Sequence, residues 1–330
     1  MPTYTGISSE AFRHPLDWEA EQTLRSFPGF DLVARKFVEF IYERPQYILY
    51  MGNYIQAGPR QFSTVYQLFR ECVRDLDISP EPALFISQNP QVNAHALGEE
   101  NPLIALNTSL LDMMNEAEIK SVIAHELGHL KCGHTVLTQM AIWVMTTANM
   151  LGNTAFGFGL GNLFSIGLIY AFYEWRRKAE LSADRAALLV TDDLPLVMET
   201  MMKLAGGSSK YSHELSLQEF IRQSERYCDL DSENLNQVYK FLLYNGGQGM
   251  MLSHPFAVDR VRYLQEWYDS AEYSQIRQGN YPHRSEQGSV EVNSETPSSD
   301  SKATEAENLR QELQDLQEQI EQLRMRRNNE

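Results

Sequence analysis

The segment 135–173 restricts the fold most, because it carries no charged side chain in a chain where charged residues make up 22%. Glycines in its centre divide it into two apolar arms of about 15 residues, whereas a membrane-spanning helix needs about 20. Polar Thr, Gln and Asn residues also interrupt the first arm. The segment therefore predicts an apolar helical hairpin that is either buried in the protein or dips into a membrane, since so large an apolar surface must be covered.

Composition excludes several classes of protein. The chain has 330 residues, of which 43% are hydrophobic, and this is enough for a large core and too much for wholesale disorder. A formal net charge of -16 excludes nucleic acid as an expected partner, because a phosphate backbone attracts basic surfaces. Three widely spaced cysteines predict a reducing compartment and no disulfide framework. The N-terminus lacks the pattern of a secretory signal, so we expect a cytoplasmic location that includes the inner face of a membrane.

Hydrophobic periodicity predicts an α+β fold that is mostly helical, with one small sheet. Short apolar runs between Pro, Asn and Gly residues predict three strands, at 83–87, 92–97 and 103–106. Apolar steps of three and four predict helices at 37–43, 62–76, 174–190, 194–205, 215–226, 233–244 and 258–271.

Four parts follow along the chain: an N-terminal helical segment (1–60), a main domain (61–275), a linker (276–308) and a short C-terminal helix (309–327). The linker is predicted to be disordered because it is rich in Ser, Glu and Thr. In the last part, apolar residues alternate in steps of four and three, at Leu309, Leu313, Leu316, Ile320 and Leu323. This spacing predicts a short coiled coil that joins copies into a homo-oligomer, or else a lone amphipathic helix that frays.

An H-E-x-x-H motif, HELGH, lies in a helix predicted to begin at Asn115, with Glu118 completing a capping box. His125 and His129 are four positions apart and share a helix face, so both imidazoles can bind one metal ion. Zinc accepts histidine nitrogen in a tetrahedral shell. Glu126 points beside such an ion, where it can take a proton from a bound water.

A third ligand is needed to complete this site. His134 is one position away from the third histidine of the metzincin pattern, so that class is rejected and His134 is placed at the surface or behind a ligand. Glu180 and Asp184 are four apart on a predicted helix, and a His2Glu set with water in the fourth place is a known catalytic zinc site. Glu180 is therefore the favoured ligand, and Asp184 can accept the far N–H of a ligand histidine. Taken alone, such a pair is also typical of a solvated helix face.

Three motifs in order resemble the signatures of HtpX-like and CAAX-prenyl-protease-type zinc metallopeptidases, a gluzincin group. They are HELGH, ELSADRAA (180–187) and HPFAVDRVRYL (254–264). The resemblance implies a zincin-like metallopeptidase domain and a zinc-dependent endopeptidase with polypeptide substrates.

The resemblance also implies roles for individual residues. Zinc would bind His125, His129 and Glu180, Glu126 would be the general base and acid, and Asp184 would support a ligand histidine. The run VNAHA resembles the edge strand above the cleft in this group, and Asn93, Ala94 and Ala96 would pair with an extended peptide.

The late motif adds His254 and Arg260. His254 could donate a hydrogen bond to the developing oxyanion, an interaction that can be worth several kcal/mol, or it could cap a helix. Arg260 would then pair with an internal carboxylate. We expect His95, which is isolated in its strand, to be structural.

The chain also departs from the membrane-embedded members of the group. No clear apolar span precedes HELGH, and this argues against a polytopic architecture and a prenyl-peptide substrate. The chain looks more like the peripheral or soluble branch of the group, which occurs in photosynthetic organelles and cyanobacteria. Membrane contact through 135–173 would imply membrane-proximal protein quality control. The competing hypothesis is a zinc-stabilised scaffold or pseudoprotease that acts through its coiled-coil tail. The intact Glu126 argues against it, since a structural site needs no base.

Overall fold

Helices dominate the fold, and a computed structural model describes them within residues 3–26, 30, 44–99, 101–140, 160–232 and 257–284. The predicted α+β class with a small sheet is confirmed. In chain order the named helices are α1 (Pro15–Arg25), α2 (Arg44–Asn53), α3 (Ser63–Asp75), α4 (Thr108–Met113), α5 (Glu116–Lys131), α6 (Leu160–Thr191), α7 (Leu194–Gly206), α8 (Leu217–Ser232), α9 (Ala257–Tyr268) and α10 (Ala271–Arg277).

The sheet has four strands in the order β1-β2-β4-β3. They are β1 (Ile55–Gln56), β2 (Ala83–Ser87), β3 (Ala94–Leu97) and β4 (Leu103–Asn107). β2 and β4 are parallel, whereas β1 and β3 run antiparallel to their neighbours. The three strands predicted from apolar runs are present. The two-residue strand β1 was not predicted, because so short a run has no measurable alternation.

Alternation along the two central strands separates two layers of core. Leu84, Ile86, Ile104 and Leu106 belong to the main helical core. Phe85, Leu103 and Ala105 point to the opposite face, where they pack with Tyr50 of α2. Because successive side chains in a strand point to opposite faces, the sheet lies between α2 and the helical core.

Helices α5 and α6 form the closest helix pair of this core, and Gly128 is the reason that they can approach. A Cβ atom built at Gly128 would lie 2.7 Å from Ala186 Cβ and 3.0 Å from Ala183 Cα. Ordinary contacts between carbon atoms are about 3.5–4.0 Å. The fourth residue of HELGH is therefore a packing residue that lets α6 lie directly on the backbone of α5.

The charge-free segment differs from the prediction in where its helices end. Its second arm and the predicted helix 174–190 are one continuous helix, α6, because no proline separates them and isolated glycines are tolerated within helices. The described ends of the segment, represented by Leu137, Met140 and Phe172, are buried. Within the described part of the chain, no helix is both long and apolar enough to cross a membrane.

The chain on both sides of the predicted main domain packs against it. The N-terminal segment packs into the same unit, as shown by the buried side chains of Tyr4, Ile7 and Phe12. At the other end, Ile276 is buried in α10 and His283 forms a β-bridge with Ile7. These contacts hold the chain in one compact unit as far as His283.

Several predictions fall on residues outside those described. They are the helices at 37–43 and 233–244, the centre of the hairpin (141–159), the linker beyond 284, the coiled coil at 309–327, and His254.

Candidate metal centre

The start of α5 places the two histidines of HELGH on the inner face of the helix. Asn115 Oδ1 accepts a hydrogen bond from the backbone N–H of Glu118 at 3.0 Å, and Glu118 Oε2 accepts one from the N–H of Asn115 at 3.0 Å. This is the predicted capping box. The helix then runs continuously through His125 and His129, so the two imidazoles lie one turn apart on one face.

Three potential ligand atoms meet between α5 and α6. His125 Nε2 lies 3.2 Å from His129 Nε2. Glu180 Oε2 lies 3.4 Å from the first of these nitrogens, and Glu180 Oε1 lies 3.5 Å from the second. All three ligand atoms lie within 4.8 Å of one another, in a buried region of the protein. The structure thus brings together the three residues that the sequence suggested as ligands.

The spacing of these atoms fits a tetrahedral metal site. With bonds of about 2.0–2.1 Å, two ligands of a tetrahedral zinc ion are separated by about 3.3 Å. The two imidazole nitrogens are 3.2 Å apart, and each lies 3.4 or 3.5 Å from a different carboxylate oxygen of Glu180. Two imidazoles and one carboxylate are also a ligand set that zinc accepts in catalytic sites. The donor set therefore fits zinc in both chemistry and size.

Buried partners hold two of the ligands in place. Asp184 Oδ1 lies 3.0 Å from His125 Nδ1, so this N–H donates to the carboxylate and Nε2 faces His129 and Glu180. Arg260 Nε donates to Asp184 Oδ2 at 2.7 Å, and its Nη1 lies 3.0 Å from Glu180 Oε2. The late motif thus contributes an arginine that fixes both carboxylates of α6.

The two histidines differ in protonation in the metal-free protein. Burial lowers the pKa of His129 to about 3, and the hydrogen bond with Glu180 offsets this only in part. Burial also acts to lower the pKa of His125, but hydrogen bonds with Asp184 and Glu180 outweigh it and raise the pKa to about 9. His129 is therefore neutral near pH 7, whereas His125 carries a proton that a metal ion has to displace.

Metal binding is consequently expected to weaken as the pH falls below the His125 pKa of about 9. Displacement of one proton lowers the apparent affinity about tenfold for each pH unit. Calorimetric titration with zinc at pH 7, repeated in buffers of different ionisation enthalpy, should show the release of about one proton. An affinity that does not change over this range would contradict the assignment.

Glu126 follows His125 on α5 and is 2% exposed. Together with His125 it lines a small cavity whose wall also includes Ser121, Thr200 and Ala94. Ala94 is the first residue of β3, the last strand of the sheet. The cavity therefore joins the predicted base to one end of the predicted substrate strand.

The other predicted site residues take different positions. Asn93 precedes β3, and its backbone carbonyl accepts a hydrogen bond from Asn107 N at 3.0 Å. Ala96 pairs with Ile104 in the sheet and packs against the core. His95 contacts the hydroxyl of Tyr50, in agreement with a structural role. His254 lies outside the described residues.

Sequence reasoning missed one contributor to the centre, the N-terminal helix α1. His134 is 1% exposed, so it does not lie at the surface, and its Nδ1 lies 2.9 Å from His129 Nδ1. Its Nε2 lies 3.0 Å from Oδ2 of Asp17, a residue of α1. No local spacing can reveal this contact, because 117 positions separate the two residues.

Comparison with known proteins gives a consistent result. The sequence profile described as Peptidase family M48 matches residues 59–268. The chain is 32% identical over 276 residues to "Plastoglobule-localized metallopeptidase 48, chloroplastic" of Arabidopsis thaliana, covering 83% of this chain and 76% of that protein. It is 28% identical over 155 residues to "Protease HtpX homolog" of Helicobacter pylori (strain Shi470), covering 40% of this chain and 50% of the other. No solved structure matches the chain.

The profile covers most of the chain and includes HELGH, ELSADRAA and Arg260. The plant relative extends the similarity over more than three quarters of its own length. The chain therefore belongs to peptidase family M48, the HtpX-like metallopeptidases.

Proposed function

We propose that this metallopeptidase is a zinc-dependent endopeptidase in which His125, His129 and Glu180 hold the metal. The observation that carries the proposal is the meeting of three potential ligand side chains, two buried and one partly buried, at separations of 3.2–3.5 Å. A cluster of two imidazoles and one carboxylate, with a second carboxylate adjacent, is the arrangement expected for a hydrolytic zinc site.

The chemistry divides between the metal and the chain. Zinc, when bound, supplies Lewis acidity and makes water a better nucleophile near neutral pH. Glu126 accepts the proton of the attacking water and passes it to the leaving amine. Asp184 keeps His125 in the tautomer that presents Nε2, and Arg260 keeps Asp184 and Glu180 in position.

We propose that β3 helps to position the polypeptide substrate. Ala94 lines the same cavity as Glu126, and β3 ends the sheet on that side. An extended peptide that runs along Asn93, Ala94 and Ala96 would place its backbone beside the base.

His254 is proposed to donate a hydrogen bond to the oxyanion, as its place in the late motif suggests. A His254→Ala variant should then lose turnover more than substrate binding.

Metal analysis combined with a protease assay tests the proposed activity. The purified full chain should contain about one zinc per protein, and a chelator should abolish its cleavage of an unfolded model protein until zinc is restored. The competing hypothesis is a zinc-stabilised scaffold acting through the tail. Bound zinc with no cleavage of any unfolded protein would favour the scaffold.

We further propose peripheral lipid contact through 135–173, and a role in membrane-proximal protein quality control. The printed name of the Arabidopsis relative places that protein at plastoglobules, which supports contact with a lipid structure. Cell fractionation tests the idea, because release of all the protein into the soluble fraction after gentle lysis would contradict it.

The C-terminal segment is proposed to join copies of the chain through 309–327. Deletion of 285–330, which leaves the packed residues up to His283 intact, should lower the oligomeric mass and preserve zinc content. Light scattering and metal analysis of the truncated protein measure both. An unchanged mass would identify the tail as a lone helix.

A further inference from the structure

A chain of buried hydrogen bonds leads from His129 to the N-terminal helix. His129 Nδ1 lies 2.9 Å from His134 Nδ1, and His134 Nε2 lies 3.0 Å from Asp17 Oδ2. His134 and Asp17 are 1% and 0% exposed. Both nitrogens of each ring therefore have a neighbouring polar atom, and the carboxylate of Asp17 lies at the end of the series away from the metal centre.

The protons in this series can be placed by elimination. Burial alone would raise the pKa of Asp17, but His134 and Arg13 hold it well below its usual range, so Asp17 is an anion that can only accept. His134 donates its Nε2–H to Asp17, and in its neutral form it offers the lone pair of Nδ1. His129 donates its Nδ1–H to that lone pair, which leaves the lone pair of Nε2 facing His125 and Glu180.

Asp17 is fixed by the helix that also supplies Glu180. Ser182 Oγ donates to Asp17 Oδ2 at 2.7 Å, and the backbone N–H of His14 donates to Ser182 Oγ at 2.9 Å. Arg13 Nε donates to the same carboxylate at 3.0 Å. Because Ser182 lies two positions after Glu180 on α6, the position of α1 is tied to that of the metal-binding carboxylate.

We propose that helix α1 contributes to the metal centre. Its residue Asp17 acts through His134 to orient the His129 ring and fix its tautomer. His134 and Asp17 are positioning residues, since neither contacts a substrate. Asp17 thus orients His129 through His134, as Asp184 orients His125 by direct contact. It does so from a segment that precedes the family profile, which begins at residue 59. The inference depends on the proposed metal site.

Four substitutions in the full chain separate this role from general packing. His134→Leu removes the acceptor of the His129 N–H, whereas His134→Asn keeps an acceptor near the former Nδ1. Thr135→Val is the matched control, because Thr135 is an equally buried neighbour whose hydroxyl donates to Gly98 O at 2.8 Å, away from the metal centre. Asp17→Asn, of the same shape, removes the charge at the end of the series.

Zinc affinity, measured by competition with a chromophoric chelator, should fall about 10–100-fold in His134→Leu, as for other groups that orient a metal-bound histidine. We expect a smaller loss in Asp17→Asn, and affinities within about threefold of wild type in His134→Asn and Thr135→Val. The visible absorption spectrum of the cobalt-substituted protein should change in His134→Leu and remain that of wild type in Thr135→Val.

Two results would overturn the inference. The first is that His134→Leu and Asp17→Asn keep the zinc affinity and the cobalt spectrum of wild type. Circular dichroism shows which of these two variants is folded, and only folded variants are compared. The other is an equal loss in His134→Leu and His134→Asn, since the acceptor would then be irrelevant. Absence of zinc binding by the wild-type chain is a different result, which rejects the proposed function itself.

Discussion

Replacement of Glu126 by Gln is expected to abolish proteolysis while zinc remains bound. The amide has nearly the same shape as the carboxylate but cannot accept the proton of the attacking water, and the loss of a general base costs about 10²–10⁴-fold in turnover. The three proposed ligands are unchanged in this variant. Zinc content by metal analysis and the rate of cleavage of an unfolded model protein measure the two effects separately.

Glu116→Gln is a suitable control for this experiment. Glu116 lies on the same helix but is exposed in its first turn, so its substitution should leave both zinc content and turnover close to wild type. Full activity of Glu126→Gln would reject the proposed mechanism, and loss of zinc together with activity would show that Glu126 supports metal binding. The inactive variant can also retain substrates for identification.

Gly128→Ala is expected to damage both the fold and the metal centre. Its methyl group would lie 2.7 Å from Ala186 Cβ, so α5 and α6 must move apart. Overpacking of this kind costs about 1–3 kcal/mol. Movement between the helices also separates His125 and His129 from Glu180, and zinc affinity should fall together with the melting temperature.

Two further variants test the steric explanation. Gly52→Ala adds the same methyl group in helix α2, where nothing lies within 4 Å, and it should be neutral or slightly stabilising. The double variant Gly128→Ala/Ala186→Gly removes the closest clash and should recover part of the lost affinity. A Gly128→Ala protein with the stability and zinc affinity of wild type would show that the helix contact is not limiting.

The sequence predicted the centre well wherever the information is local. The capping box, the spacing of the two histidines and the four-residue step from Glu180 to Asp184 all depend on helix periodicity, and a helix repeats its geometry regardless of what surrounds it. The central strands were predicted for a similar reason, because each is a short apolar run between turn residues.

Contacts that depend on tertiary packing were not predictable in the same way. Asp17 reaches His134 across 117 positions, and no periodic pattern connects them. The start of α6 was misplaced because the residues change from apolar to charged near Glu174. This change reflects a different environment of the side chains, and the helix itself is continuous there. The burial of Ile276 was likewise not predictable, because its neighbours in the chain are mostly polar.

The pairing of Arg260 with Glu180 and Asp184 has a consequence for the choice of ion. Glu126, Glu180 and Asp184 are buried carboxylates, and Arg260 is the buried cation that contacts two of them. With both imidazoles neutral, these four side chains sum to two negative charges, and a net charge inside a protein is costly. A divalent ion balances the charge of these four side chains, whereas a monovalent or trivalent ion leaves an excess. This electrostatic balance should favour divalent ions over ions of other charge. Coordination geometry then distinguishes one divalent metal from another.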